Sequence, residues 1–429
     1  MAKPKYDEAE IVRKLLGKIP VIESLKDVEA AALALIKKEY PAMGATERAE
    51  RASEIASYDE IEELMEEPGI EDIMINGLNP IHTYGRNGMV RTGVAFESHQ
   101  ELLDFAQKLL LFSGKTVLKP INDLHLPGGA RVNIAASPMG LQITIRRFLH
   151  EPPSVIDLIS WGVLDHSVAA QLWMYAEGLA IKPANILIIG PPAAGKTTLL
   201  NALFSFFPKG QRTVVIEDTM ELNTGSEENC ARLVTNDGTT MEDLVRNSLR
   251  MRPDRIVVGE VRGAEAKDLM SAMNIGKICL GTLHAGTSRE AVTRLENEPM
   301  GVPVPMIPLI DVIIVVSRFY QKGKMRRVIT EISETAGIEG RKVLLSELYK
   351  FSHVHDTLEP VAPSVIYRDR LAETAGVSPK DIMGEIETRA KILMALQEKG
   401  IRSLEAISEF CRRYYKNPDS ALAELGYKR

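Results

Sequence analysis

The chain has 429 residues, of which 45% are hydrophobic and 26% charged, with a formal net charge of −6. That length suggests about three domains of ordinary globular composition, and the acidic balance argues against a dedicated nucleic-acid binder. Cys230, Cys279 and Cys411 are the three cysteines and form no CxxC pair, which excludes a zinc ribbon or disulfide framework and fits a reducing compartment. The opening MAKPKYDEAEIV is charged and carries no apolar h-region, so no secretory signal is expected. The most apolar stretch, Val302 to Val316, contains Asp311 and three prolines and reads as a buried strand with its lead-in loop, not as a membrane span. A cytoplasmic protein with only peripheral membrane contact is the expectation.

Residues 1–60 are highly charged, with apolar positions three and four apart at Ile11, Leu15 and Leu16 and again at Val28, Ala31, Leu35 and Ile36. This predicts a helical region over 1–66. From about 68 the pattern turns to strands: Ile73 and Ile75, then Ile81 and Thr83, alternate, and Arg86-Asn87-Gly88 supplies a hairpin turn before Met89-Val90. Ser98 to Phe112 predicts an amphipathic helix, and residues 130–135 and 141–148 predict extended segments. His150-Glu151-Pro152-Pro153-Ser154 stiffens the chain and ends a domain over 67–150. From 155 to about 350, helical patterns alternate with apolar strands at 185–189, 213–217, 255–259, 278–283 and 311–316. This predicts a mostly parallel sheet wrapped by helices in a domain over 155–365. Residues 366–429 return to helix.

The most informative segment is 185–198, NILIIGPPAAGKTT. An apolar strand runs into Gly190, Pro191, Pro192, Ala193, Ala194, Gly195, Lys196, Thr197 and Thr198, followed by helix-forming residues, which is the strand–loop–helix setting of a phosphate-binding P-loop. Gly190 and Gly195 allow the tight turn that aims successive N–H groups at a phosphate, and the following helix offers its positive end. Lys196 suits the β- and γ-phosphates of ATP and is expected to face solvent in the empty site; the Thr197 hydroxyl suits Mg2+. Three further motifs end at strand termini: Val214 to Leu222, with Glu217, Asp218 and Glu221; Arg255 to Gly263, with Glu260; and Cys279 to Ala285, with His284. Hydrolysis of a γ-phosphate needs a carboxylate to activate water, a metal ion and a γ-phosphate contact. Glu260 suits the first role, Glu217, Asp218 and Glu221 suit water-mediated metal coordination, and His284 suits the third. Singly, such acids can be turn or cap residues and such a histidine a structural donor; behind a P-loop they read together as catalytic. Gly259 stands where many P-loop ATPases place an aspartate, which shifts the metal toward Thr197 and Asp218.

The P-loop, the box Glu217-Asp218-Thr219-Met220-Glu221-Leu222, the segment 249–263 (LRMRPDRIVVGEVRG) and Gly281-Thr282-Leu283-His284-Ala285 together resemble the secretion/traffic ATPase superfamily, the hexameric motors of type II and type IV secretion, type IV pili and the archaellum. The resemblance covers roughly 70–350 and implies a RecA-like P-loop core preceded by a PAS-like α+β domain, with helical N- and C-terminal extensions. It also implies that arginines of the first domain reach the nucleotide. Leu126 to Val132 and Ile143 to Phe148 are similar to the segments that carry them, giving Arg131 and Arg146, with Arg147 third. The tail around Arg389, Ile392, Leu393 and Tyr414 to Pro418 resembles archaeal members. The chain departs from the family's pattern at Gly276-Lys277, where a histidine usually follows the glycine, and at Leu126 to Arg131, which lacks an acid and a hydroxyl before Arg131. The implied protein is a homo-hexameric ATPase that drives a pilus-like filament or secretion through a polytopic membrane platform protein. A DNA-translocating conjugative motor is the alternative, and an inactive regulatory subunit a third.

Overall fold

The computed structural model describes residues 6–85, 88–138, 140–147, 152–236, 238–321 and 324–427. Arg86 and Asn87 of the expected hairpin turn, Phe148 of the expected strand and His150-Glu151 of the expected boundary fall outside them. The chain is mixed α/β and divides into two compact units, Met1–Leu149 and His150–Arg429.

In the first unit, helices α1 (Glu8–Leu15), α2 (Leu25–Glu39), α3 (Ala45–Ile55) and α4 (Glu62–Glu66) precede strands β1 (Ile70–Asn76), β2 (His82–Gly85) and β3 (Gly88–Arg91). Helix α5 (His99–Phe112) and strands β4 (Ile121–His125), β5 (Arg131–Ser137) and β6 (Gly140–Arg146) complete it. The sheet order is β3-β2-β1-β6-β5-β4, antiparallel throughout. Helix α5 starts where Ser98 and Glu101 form a reciprocal capping box, satisfying amides that a helix start leaves open. Its buried face, Leu102, Phe105, Ala106 and Leu109, joins Ile73 and Ile75 of β1, Val132 and Ile134 of β5, and Ile11, Val28, Ile36 and Ile55 of the leading helices in one core.

The second unit opens with α6 (Val155–Ser160), α7 (His166–Glu177), β7 (Ile186–Ile189), α8 (Lys196–Leu203), β8 (Thr213–Glu217) and β9 (Cys230–Val234). It continues with α9 (Met241–Ser248), β10 (Arg255–Val258), α10 (Glu265–Asn274), β11 (Ile278–Leu283) and α11 (Ser288–Glu296). Strands β12 (Val312–Gln321), β13 (Lys324–Glu339), β14 (Lys342–Ser352) and β15 (Thr357–Pro360) follow, then α12 (Ile366–Ala375), α13 (Pro379–Glu398), α14 (Leu404–Lys416) and α15 (Pro418–Leu425). The nine-stranded sheet runs β15-β14-β13-β12-β7-β11-β10-β8-β9. Strands β12 through β9 in that order are parallel to one another, and β13 to β15 are added antiparallel at one edge.

Successive side chains of a strand point to opposite faces, and here the two faces are two different cores. Ile186 and Ile188 of β7, Val257 of β10, and Val312 and Ile314 of β12 pack with α6, α7 and the C-terminal helices. Leu187 and Ile189, Ile256 and Val258, and Ile313 and Val315 pack on the other face with α9, α10 and α11. Burial on both faces is why these strands read as continuous apolar runs. Strand β9 and the antiparallel strands β13 to β15 carry no such run, and the sequence pattern left them unread. Strand β12 also continues five residues past the expected end at 316.

The C-terminal helices are fastened by one buried charge. Arg389 of α13 is 2% exposed; it pairs with Glu177 of α7, donates from Nε to Glu385 Oε1 at 3.0 Å, and its guanidinium carbon lies 4.7 Å from the Trp173 ring centroid. Burial pushes the Glu177 carboxyl up, and Arg389 only partly offsets it. Arg389→Ala therefore leaves a buried, unpartnered acid and is expected to lower unfolding stability by about 3–5 kcal/mol. A denaturant midpoint shifted by less than a fifth of that would show the pair to be dispensable.

Candidate functional site

The parallel strands deliver their polar residues at their carboxyl ends, and the strand order decides who meets whom. Strand β11 lies between β7 and β10, so His284, just after β11, stands between the glycine-rich loop after β7 and Glu260 after β10. Its Nε2 is 2.8 Å from Glu260 Oε1, and its Nδ1 is 3.1 Å from Lys196 Nζ and 3.2 Å from the Gly190 carbonyl. An imidazole that carries its proton on Nε2, toward the carboxylate, leaves Nδ1 to accept from the ammonium. Lys196, His284 and Glu260 thus stand in one line of polar contacts, a hydrogen bond on the lysine side and a close charge contact on the carboxylate side.

Lys196 does not face solvent as the sequence led one to expect. It is 7% exposed, and Nζ also donates to the carbonyls of Gly190 (3.1 Å) and Pro191 (3.3 Å). The expectation assumed a loop with no acceptors of its own, whereas the loop folds two carbonyls and a histidine around the ammonium. Burial depresses the Lys196 ammonium below the usual lysine range, with Glu260 and Glu221 pulling the other way.

The loop itself explains its glycines. A Cβ on Gly190 would lie 2.1 Å from the Val316 carbonyl oxygen, so no larger residue fits between β7 and β12. Gly195 has φ +101 and caps α8, and Ala193 takes φ +57, a conformation uncommon for a residue with a side chain. Pro191, Pro192 and Ala193 are exposed, Ala194 is buried, and Thr197 and Thr198 are half-buried on the first turn of α8. The first amides of that helix have no intrahelical acceptor, and the positive end of its dipole faces the loop.

Around Glu260 the charge is arranged by a residue that the sequence reading passed over. Arg262 Nε is 2.7 Å from Glu260 Oε1, its Nη2 donates to Oε2 at 2.7 Å, and its Nη1 donates to Asp218 Oδ2 at 3.2 Å. Burial alone would raise the Glu260 carboxyl; Arg262, then His284 and Lys196, outweigh it and hold the group below the usual glutamate value. The only signal was the i, i+2 spacing of Glu260 and Arg262. Asp218 also accepts from Thr235 Oγ1 at 3.1 Å, and Glu221 is exposed.

Glu217, 2% exposed, is engaged differently from its neighbours. Oε1 accepts from the amides of Glu221 (2.8 Å) and Leu222 (2.9 Å), and Oε2 from Arg232 Nη2 at 3.2 Å. It shapes the acidic loop from beneath. Asn201 of α8 holds the same loop, donating to the Glu221 carbonyl at 3.1 Å and accepting from the Asn223 amide at 2.7 Å. Gly259 is explained here too: a Cβ there would lie 3.1 Å from Glu217 Cγ, so a larger residue would displace Glu217.

In the first unit, Arg131 of β5 and Arg146 of β6 are directly opposite in register. Arg146 Nε is 2.8 Å from Asp72 Oδ1, and Arg131 is 3.7 Å from Asp123. Both guanidinium groups are largely exposed. Arg147, by contrast, is tied to the turn before β1, donating to the carbonyls of Leu64, Glu67 and Ile70. The structure thus brings Lys196, His284, Glu260 and Asp218 together in one unit and pairs Arg131 with Arg146 in the other.

A parallel sheet that gathers a glycine-rich loop, a lysine, a histidine and a carboxylate at its strand ends belongs to a mixed α/β class of ligand-binding proteins. The family model "Type II/IV secretion system protein" matches residues 55–336, and the chain belongs to that family, within the type II/IV secretion ATPase superfamily. An uncharacterized protein of Methanocaldococcus jannaschii is 33% identical over 378 residues, covering 83% of this chain and 67% of the relative. The conjugal transfer protein TrbB of Rhizobium radiobacter is 32% identical over 295 residues, covering 64% of this chain and 86% of the relative. Among solved structures, the VirB11 ATPase of the Brucella suis type IV secretion system is 22% identical with a TM-score of 0.34, covering 64% of this chain and 96% of that one. The pilus retraction motor PilT with bound ADP is 16% identical with a TM-score of 0.49, covering 82% and 95%. Among the described residues, no helix is long and apolar enough to cross a membrane.

The role of Glu217 generates a test that needs no ligand. Glu217→Ala removes the acceptor of two loop amides and the partner of Arg232, and unsatisfied buried donors cost about 1–3 kcal/mol. A melting temperature equal to the parent's would show that the acidic loop holds its shape without it.

Proposed function

We propose that this chain is an ATP-hydrolysing motor that works as a homo-hexamer and drives assembly of a pilus-like filament, or secretion, through a polytopic membrane platform protein. The observation that carries the hydrolytic reading is the chain Lys196–His284–Glu260, which sets a phosphate-binding cation and a water-activating carboxylate on either side of one imidazole. On this reading residues 190–198 are a P-loop, the parallel sheet is a RecA-like core over 155–365, and residues 67–150 are a PAS-like domain. Regions 1–66 and 366–429 are its helical extensions.

An arriving triphosphate offers Lys196 stronger acceptors than the carbonyls of Gly190 and Pro191, because an ionised acceptor binds an ammonium more tightly than a neutral one. His284 is placed to contact the γ-phosphate, and Glu260, kept ionised by Arg262, orients and deprotonates the attacking water. Mg2+ suits the oxygen donors present, and it commonly takes one or two protein ligands with phosphates and water completing its shell. Thr197 would be the direct ligand, with Asp218 and Glu221 acting through water; among the described residues no three His, Cys, Asp or Glu side chains converge as a cage of their own. An ion held there would supply neutralisation of phosphate charge. Glu217 supports the acidic loop. Arg131 and Arg146, directly opposite at one end of the β5–β6 pair, are the arginines this reading assigns to the coupling of hydrolysis to motion.

A second reading, a DNA-translocating conjugative motor, is favoured by one finding, the likeness to a conjugal transfer protein. The acidic balance of the chain weighs against it.

Glu260→Gln keeps the shape of the side chain but removes the base, so turnover is expected to fall about 10²–10⁴-fold with ATP binding intact. Parent-like turnover in a phosphate-release assay would overturn the assignment. Run with double-stranded DNA at near-physiological salt, the same assay separates the two readings, since strong stimulation would favour the conjugative motor. The double variant Arg131→Ala/Arg146→Ala is expected to lose about 10³-fold or more in turnover while retaining ATP affinity. Unchanged turnover would confine both arginines to the sheet surface.

A further inference from the structure

Strand β12 pairs with β7 only as far as Val315 opposite Ile189 but continues to Gln321. The excess, folded back as β13, forms a hairpin that runs on beyond the end of β7, on the side where the glycine-rich loop begins. The Val316 carbonyl already closes on Gly190. Two residues further along, Arg318 stands directly opposite Arg327 of β13. Both are exposed, and among the described residues neither has a carboxylate partner, whereas the adjacent Arg326 is paired with Asp356 at 3.1 Å. Like charges placed directly opposite on a sheet are destabilising.

Arg327 is aimed. Its Nε donates to the carbonyl of Ala193 at 3.1 Å, the residue at the tip of the loop with φ +57, and its Cδ lies 3.9 Å from where a Cβ on Gly195 would be. The side chain therefore lies across the loop between Ala193 and Gly195. A guanidinium has five N–H donors in a fixed fork, and one is used here.

We propose that Arg327, with Arg318 behind it, is a second cationic contact for the phosphates of the bound nucleotide, supplied by the same unit as Lys196. Resting on the nucleotide reading above, it assigns to the hairpin a function beyond the chemistry of the glycine-rich loop and its helix. Arg327 bridges the Ala193 carbonyl to a phosphate oxygen and so holds the loop in its binding form. Arg318 contributes field rather than contact, which is why the like-charged pair is kept: the anion that relieves it is the ligand.

The test uses the full chain and titrates ATP at several salt concentrations. Arg327→Gln is expected to weaken ATP binding about tenfold or more, the effect of losing a hydrogen bond to a charged group. It should also flatten the dependence of affinity on salt, because a screened charge contact is gone. Arg327→Lys should keep the salt dependence and recover only part of the affinity, since it retains the charge but not the fork. Arg318→Gln should weaken binding less, with the deficit fading as salt rises. Parent-like affinity in Arg327→Gln overturns the inference, and so does a loss with unchanged salt dependence, which would mean that the arginine only braces the loop. Lys196→Ala separates this from the reading beneath it. If Lys196→Ala abolishes ATP binding while Arg327→Gln does not weaken it, the hairpin inference alone falls; if the parent binds no ATP, the nucleotide reading falls and takes the hairpin inference with it.

Discussion

The constraint on which the rest depends is that the parallel strands are buried on both faces. Ile186 and Ile188 belong to one core and Leu187 and Ile189 to another, so no residue within β7 is available for chemistry. Polar side chains free to meet a ligand can appear only where such a strand stops. Because all the parallel strands point the same way, those stops gather at one edge. The strand order β7-β11-β10-β8 then dictates the sequence of groups along that edge: loop, His284, Glu260, Glu217. The meeting of Lys196, His284 and Glu260 follows from hydrophobic burial before any electrostatics is considered.

Electrostatics then decides the protonation states. A buried ammonium and a half-buried carboxylate would each drift toward neutrality if left alone. Lys196 does so in part, held below its ordinary range by burial. Glu260 does not, because Arg262 grips both of its oxygens and lies within reach of Asp218 as well. The two partners of His284 are thus tuned in opposite senses of effect: the lysine's proton is loosened and the carboxylate's charge is secured. Glu217 is only five residues from Leu222 in sequence, yet it meets a different fate, since two backbone amides occupy one of its oxygens before any ligand could.

Much of this was legible in the chain, and the reasons it was legible are the same physical facts. Strands buried on both faces leave uninterrupted apolar runs, so β7, β8, β10 and β11 could be placed within a residue or two. The amphipathic pattern from Ser98 to Phe112 marked α5, and the capping box of Ser98 with Glu101 fixes its start in the structure. Half-exposed strands leave no such run: in β13, polar residues such as Arg326, Arg327 and Thr330 are interleaved with Val328 and Ile329. The whole antiparallel edge was missed for that reason, and Arg327 with it. The solvent-facing expectation for Lys196 failed because loop carbonyls are invisible to residue types; every residue has one, and only the fold decides where it points. Asn201 and Arg262 were missed as polar residues whose importance lies in the partner, not in their own spacing.

Each unit carries one cross-strand pair of arginines, Arg131 with Arg146 and Arg318 with Arg327. A sheet surface offers positions where a cation can face an acid on a neighbouring strand, and this chain uses that option elsewhere, as at Arg232 of β9 with Glu217 of β8. Placing like charges in register therefore runs against the pattern of its own surface. The two pairs also differ in how far they are relieved: Arg146 has Asp72 at 2.8 Å, while the described residues offer Arg318 and Arg327 no acid at all. A pair whose two arginines both have an acid within reach can release those acids and take up an anion as conditions change, which suits residues that engage intermittently. An unrelieved pair fixed across the glycine-rich loop attracts an anion continuously, which suits capture. On the proposed reading, the contrast in local charge fits a division of labour between holding a nucleotide and responding to it.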